Sequence, residues 1–212
     1  AQRSAAVVSL ASAAARRAAR RPSMPSAPAA PVISNARLAV IVLLVAESMF
    51  FSGLISAYII LRGSTPAWPP PTLPRLPLAV TWANTMVLLA SGATMLAARS
   101  AVRRDDQPAL RRHLLITGAL GMLFLAVQGV EWVRLVHHGL TLSAGMYGAT
   151  FYTLIGTHAM HVLGAVTWLG VVGLWAWRGR LVGGDDTAVD ACTIYWLFVC
   201  ALWLVLFAMV YQ

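Results

Sequence analysis

Glu47 stands about ten residues inside a long apolar run, in Val45-Ala46-Glu47-Ser48-Met49-Phe50-Phe51. A carboxyl group at that depth in hydrocarbon is expensive unless it is partnered, so it marks a candidate functional site. Two readings share one structure: a Glu hydrogen-bonded to a neighbouring helix, or a site that exchanges a proton or tunes a nearby proton route. Helical spacing puts Phe50 and Phe51 on its face, at i+3 and i+4. Gln128 and Glu131 form a second polar pair at i and i+3, followed by Trp132 and Arg134. A side chain that both donates and accepts, one turn from a carboxylate, suits an interhelical clamp better than bond chemistry. His158 and His161 are a third pair at i and i+3, read as sharing one face. No Cys, Asp or further His stands at comparable depth to complete a metal site with them. A haem bridging two helices would need axial ligands on both, and His113, His137 and His138 fall at span ends or in loops. Hydrogen-bonded packing histidines are therefore expected, with no metal, beside small residues (Gly156, Ala159, Gly164, Ala165) that admit a close helix.

The elements that hold these groups follow from composition. The chain is 59% hydrophobic and 11% charged, which excludes an ordinary soluble domain. Five apolar spans lie at about 38–61, 78–98, 114–136, 149–177 and 191–211, each long enough to cross about 30 Å of hydrocarbon as a helix. Continuous runs exclude barrel strands, which alternate apolar and polar residues. The expected fold is all-α: a polytopic bundle of five transmembrane helices over residues 37–212, preceded by a basic Ala/Arg/Pro-rich arm, 1–36, that reads as irregular or as an organellar presequence.

The net charge of +9 describes topology rather than nucleic-acid binding. Every basic residue is Arg, and they cluster in the N-terminal segment and the connections 99–112 and 178–190. Only Arg62, Arg75 and Arg134 fall on the opposite side. The positive-inside rule then places the N-terminus inside and the C-terminus outside. The Pro-rich stretch from Arg62 to Pro77 is expected to be a stiff outside loop with an interfacial Trp68. Cys192 and Cys200 stand about 12 Å apart along one helix, too far for a disulfide. Tyr195, Trp196, Trp203 and Tyr211 read as core residues or interfacial anchors.

The order of motifs adds a resemblance. Glu47-Ser48-Met49-Phe50-Phe51-Ser52-Gly53-Leu54 with Tyr58, then Trp68-Pro69-Pro70, Trp82-Ala83-Asn84-Thr85 and Gln128-Gly129-Val130-Glu131-Trp132 follow one another along the chain. After them come Tyr147 to Gly164, with Thr157-His158-Ala159-Met160-His161, and finally Tyr195-Trp196, Trp203 and Tyr211. In this order, over residues 37–212, they resemble subunit III of the haem-copper respiratory oxidases, in the five-helix form that lacks the first two helices of longer members. The resemblance implies a subunit without redox centres, non-catalytic alone, packed against the catalytic subunit I beside subunit II, with haem and copper in those partners. It implies an integral membrane protein of a bacterial inner membrane, or alternatively the mitochondrial one, serving cytochrome c oxidation and O2 reduction. It further implies bound phospholipid and support of proton uptake, with Glu47, Gln128, Glu131, His158 and His161 as proton- or lipid-linked positions. Phe50, Phe51, Tyr58, Trp82, Trp196 and Trp203 are the implied lipid or packing positions, and Glu47 falls on the family's carbodiimide-reactive carboxylate. Two positions depart from the family's last helix, where Leu197 and Cys200 replace a His and an Asp. Competing readings are the homologous subunit of a quinol oxidase or nitric oxide reductase, an independent proton-coupled transporter, and a di-haem electron carrier.

Overall fold

A computed structural model describes residues 35–70, 76–181 and 187–211. Among these, the chain forms five helices and no strand: α1 (Asn35–Gly63), α2 (Leu78–Arg103), α3 (Gln107–His137), α4 (Gly145–Trp177) and α5 (Thr187–Val210). All five are long and apolar enough to cross a membrane. The basic arm lies outside the described residues except for its last two positions, which already belong to α1.

The helices outrun the apolar spans because backbone hydrogen bonding continues into the polar boundary, where water and charged side chains are tolerated. The expected connection 99–112 is corrected most. It shrinks to residues 104–106, since α2 continues to Arg103 and α3 begins at Gln107. Asp105 turns the chain at φ 55°, a left-handed conformation that Asp tolerates better than most residues. Asp106 then caps α3 by accepting from the Ala109 backbone N–H, and Pro108 follows in the first turn, where its missing N–H costs nothing. At their other ends, α3 and α4 stop alike. Gly139 (φ 91°) and Gly179 (φ 67°) take the left-handed position beyond each helix, and the next N–H, of Leu140 or Arg180, reaches back to the carbonyl of Leu135 or Trp175.

Short connections make α2, α3, α4 and α5 successive antiparallel neighbours, and α5 closes the ring by returning to α2. The α1 helix lies outside that ring, against α4 and α5 only. Burial follows this arrangement: 56% of the most apolar window of α5 is buried but only 11% of that of α1, so α5 is the centre and α1 an appendage.

Lipid offers no hydrophobic drive between helices, so close contact and interhelical hydrogen bonds must hold the ring. The indole of Trp203 donates to Thr85 Oγ1 at 2.9 Å and that of Trp196 to Ser91 Oγ at 3.1 Å. Asn84 Nδ2 donates to the Phe124 carbonyl at 3.1 Å, and the Thr94 and Thr117 hydroxyls lie 2.7 Å apart. Close approach does not use the expected glycines of α4. A Cβ on Gly164 would meet nothing within 4 Å, and on Gly156 only Trp132 at 3.8 Å. It uses Gly121 of α3, where a Cβ would come 2.7 Å from the Trp196 ring and 3.1 Å from Val166.

One polar anchor has no counterpart in the sequence reading. Asp190, in the first turn of α5, accepts from Arg99 Nε at 2.6 Å and Nη2 at 3.2 Å, and from Arg103 Nη2 at 3.2 Å. It therefore ties the start of α5 to the end of α2, closing the ring at its arginine-rich end. Replacing it with Asn keeps the shape and removes the charge. Asp190→Asn is expected to lower unfolding stability by about 1–2 kcal/mol, since hydrogen bonds to charged groups are worth about 1.5–3 kcal/mol and Arg99 is partly solvated. Thermal unfolding of the two proteins at low salt checks this; equal midpoints would show the anchor to be idle.

Candidate functional site: a carboxyl–imidazole pair between α1 and α4

Along α1, Val40, Leu44, Glu47, Phe51, Leu54 and Tyr58 alternate steps of four and three, the spacing that keeps one seam of a helix against its neighbours. Val40, Phe51 and Tyr58 are buried, with Leu44 and Leu54 packed beside them. Glu47 occupies the middle of the seam and so faces α4 and α5. Phe51 shares that seam, and Phe50 flanks it, half exposed.

Across the seam stands His161 of α4, its Nε2 2.6 Å from Glu47 Oε2. Its Nδ1 lies 2.7 Å from the Thr157 carbonyl oxygen. A carbonyl can only accept, so Nδ1 carries a hydrogen, and Nε2 is left to face the carboxyl. A contact this short is a hydrogen bond only with a proton on one of the two atoms, on the carboxyl in a neutral pair or on the imidazole in an ionic pair. Both forms have zero net charge, which lowers the cost of keeping ionisable groups at this depth. Phe51 sets its ring edge against His161 at 5.0 Å and Phe50 stacks at 6.4 Å between centroids. The pair is not sealed: its side chains keep 19% and 17% exposure.

The two histidines do not share a face. Three residues of helix turn through about 300°, leaving the two side chains about 60° apart around the axis, and that offset sends His161 towards α1 and His158 into the ring. His158 is fully buried, stacked on Trp203 at 5.2 Å and edge-on to Phe124 at 6.5 Å. Neither ring nitrogen has a hydrogen-bond partner among the described residues, contrary to the hydrogen-bonded packing expected of it. Leu197 and Cys200 lie on the α2 side of α5, against Gly92, and the Cys200 thiol approaches the Leu88 carbonyl at 3.7 Å. They are therefore away from Glu47, whose partner does not depend on them.

The opposite end of α1 is fastened by a clamp on one carbonyl. Tyr58 Oη at 3.2 Å and Arg62 Nη1 at 3.1 Å both donate to Met209 O, in the last turn of α5 where helix carbonyls lack partners. Trp68 donates to Tyr58 Oη at 3.2 Å and packs edge-on to Tyr147. Gln128 reaches from α3 to the Tyr211 hydroxyl at 3.2 Å. Glu131 turns instead to Arg134 of its own helix, at 2.9 Å. Trp196 and Trp203 are buried in the ring, while Trp82 is exposed with one edge on Phe207. Between α1 and α5, Leu44, Ser48, Met49 and Phe198 border an apolar crevice of about 670 Å³.

The sequence profile of the family described as Cytochrome c oxidase subunit III matches residues 7–212. The chain is 37% identical to cytochrome c oxidase subunit 3 of Synechocystis sp. over 81% of its own length and 73% of the relative's. It is 35% identical to cytochrome c oxidase subunit 3 of Thermostichus vulcanus, over 82% and 85% of the two chains. With cytochrome c oxidase subunit 3 of Sus scrofa it shares 33% identity, over 82% and 68%.

Proposed function

The chain belongs to the cytochrome c oxidase subunit III family, accessory subunits of haem-copper oxidases, and from that premise we propose that it supports a partner's catalysis through a proton-holding latch and a lipid-binding surface. Membership places it in a complex with other oxidase subunits. Subunit I is the proposed direct neighbour, with subunit II nearby, cytochrome c as electron donor, and haem and copper held by those partners. The donor set supports that division of labour, since His161 is engaged by Glu47 and Thr157 and His158 is enclosed by Trp203 and Phe124. The proposed membrane is a bacterial inner membrane, with the arginine-rich end of the bundle inside.

The observation that carries the reading is the 2.6 Å contact between Glu47 and His161. A carboxyl and an imidazole that share one proton can take up a second or give up the one they hold, each with a change of one unit of charge, the property a site near a proton route requires. The same contact joins α1 to α4, so protonation and helix attachment are linked. The apolar crevice between α1 and α5 suits a phospholipid acyl chain, which would fill it and keep water from the pair.

The oxidase purified with Glu47→Ala in this subunit is expected to assemble, and to begin turnover at the normal rate. The number of turnovers it completes before inactivation, or its proton-pumping ratio, is expected to fall. Loss of oxygen reduction from the first turnover in a fully assembled complex would contradict a supporting role. Proton flux through the chain alone in proteoliposomes, abolished by Glu47→Gln, would favour an independent transporter.

A further inference from the structure

We propose that the groove between α3 and α4, at their arginine-rich ends, binds one anionic phospholipid, with an acyl chain along a glycine floor and the headgroup phosphate on Arg111 and Arg112. The inference deepens the lipid-binding part of the proposed function and rests on it. The groove runs from Arg111 to Met122 on α3 and from Trp177 back to Val166 on α4. Each stretch is about 16 Å long at 1.5 Å per residue, close to half of a hydrocarbon core of about 30 Å, so it matches one leaflet.

Its walls are apolar and its polar groups are gathered at one end. Gly170 and Gly173 form part of the floor, and a Cβ built on either would meet nothing within 4 Å. Their small size therefore serves no helix contact in the chain. It leaves room where a larger residue would stand, at a cost of about 0.5–1 kcal/mol per glycine relative to alanine in a helix. At the charged end, Arg111 Nε donates to the Ala176 carbonyl at 3.1 Å, which fixes that guanidinium across the groove and uses one of its five N–H donors. Arg112 joins it in a second hollow over Leu115 and Trp177. Trp177 is 62% exposed at the end of α4, the position an indole takes at headgroup level. Two guanidinium groups beside an apolar channel of one-leaflet length complement a phosphodiester joined to an acyl chain, and guanidinium suits phosphate oxygens by its forked geometry.

The test uses the intact oxidase complex in nanodiscs of phosphatidylcholine containing a minority of phosphatidylglycerol, with lipids retained on extraction counted by native mass spectrometry. Two variants are compared with the wild type: Arg111→Leu with Arg112→Leu, and Gly170→Leu with Gly173→Leu, which fills the groove and leaves the charges. Each is expected to lose one retained phosphatidylglycerol, the arginine variant weakening retention on the order of tenfold or more from two basic groups, with phosphatidylcholine unchanged. Equal retention in all three complexes would overturn the site. Loss in the arginine variant alone would also overturn it, by showing surface attraction with no chain in the groove. Equal loss of both lipids would overturn the preference for an anionic headgroup. The presence of this chain in each purified complex is read in the same spectra, so failure to assemble with the oxidase counts against the proposed function and not against the groove.

Discussion

Replacing His161 of α4 with leucine is expected to loosen α1 from the bundle more than any single substitution on α1 itself. The change strands the Glu47 carboxyl against an apolar surface, and an unpartnered acidic group at mid-span costs about 2.5–3.5 kcal/mol. The reverse substitution costs less. Glu47→Leu removes the expensive group itself, while His161 keeps its contact with the Thr157 carbonyl; the loss is then on the order of 0.6–1 kcal/mol, typical of one interhelical hydrogen bond in a bilayer. The double replacement is expected to lie near the milder single one, since two leucines at the seam pack without an unsatisfied group. Rates of protease cleavage in the connection between α1 and α2, measured on all four proteins in the complex, would display that order. Equal effects of the two single substitutions would mean that Glu47 does not depend on His161.

Trp203→Ala is expected to have the largest effect inside the ring. Trp203 is buried among Phe124, His158, Phe207 and Tyr211 and donates to Thr85. Its removal opens a cavity between α5 and its neighbours, costing about 3 kcal/mol, the low end of the range for Trp→Ala because lipid supplies no hydrophobic penalty for separating helices. Thr85 retains its bond to the Thr81 carbonyl, so no stranded hydroxyl adds to the loss. Trp203→Phe should recover most of it by refilling the space. Trp82→Ala, at an exposed position, should stay within about 0.5 kcal/mol. Unfolding of the purified subunit in detergent measures all three, and a loss for Trp82→Ala equal to that for Trp203→Ala would refute the ring core.

The five spans were legible because uninterrupted apolar runs of that length have few other uses, and Glu47 stood out because hydrocarbon makes a carboxyl costly. Gln128 was legible as a residue that joins helices, and the geometry gives it Tyr211. Neighbour choice was not legible. Spacing fixes where a residue lies on its own helix, but ring closure decides which helix it meets, and that separates His161 from His158 and turns Glu131 back to Arg134. A signal for the Glu47 seam was present in the alternating steps from Val40 to Tyr58. Asp190 offered a weaker one, as the acidic residue opening the last span opposite Arg99 and Arg103 at the end of the second. The short turn at 104–106 was hidden because arginines at helix ends read as loop by hydropathy alone, whereas Asp106 and Pro108 mark a helix start.

If Glu47 and His161 act as one proton-sharing unit in support of a neighbour's catalysis, their removal shortens the working life of the oxidase without slowing its start. The decisive measurement is the number of turnovers the intact oxidase completes before inactivation, for wild type, Glu47→Ala, His161→Leu and the Glu47→Ala/His161→Leu pair, at matched assembly. The expected result is a normal initial rate throughout, a shortened lifetime in each single variant, and no further shortening in the double variant. Independent, additive losses, or lifetimes unchanged from wild type, would contradict it.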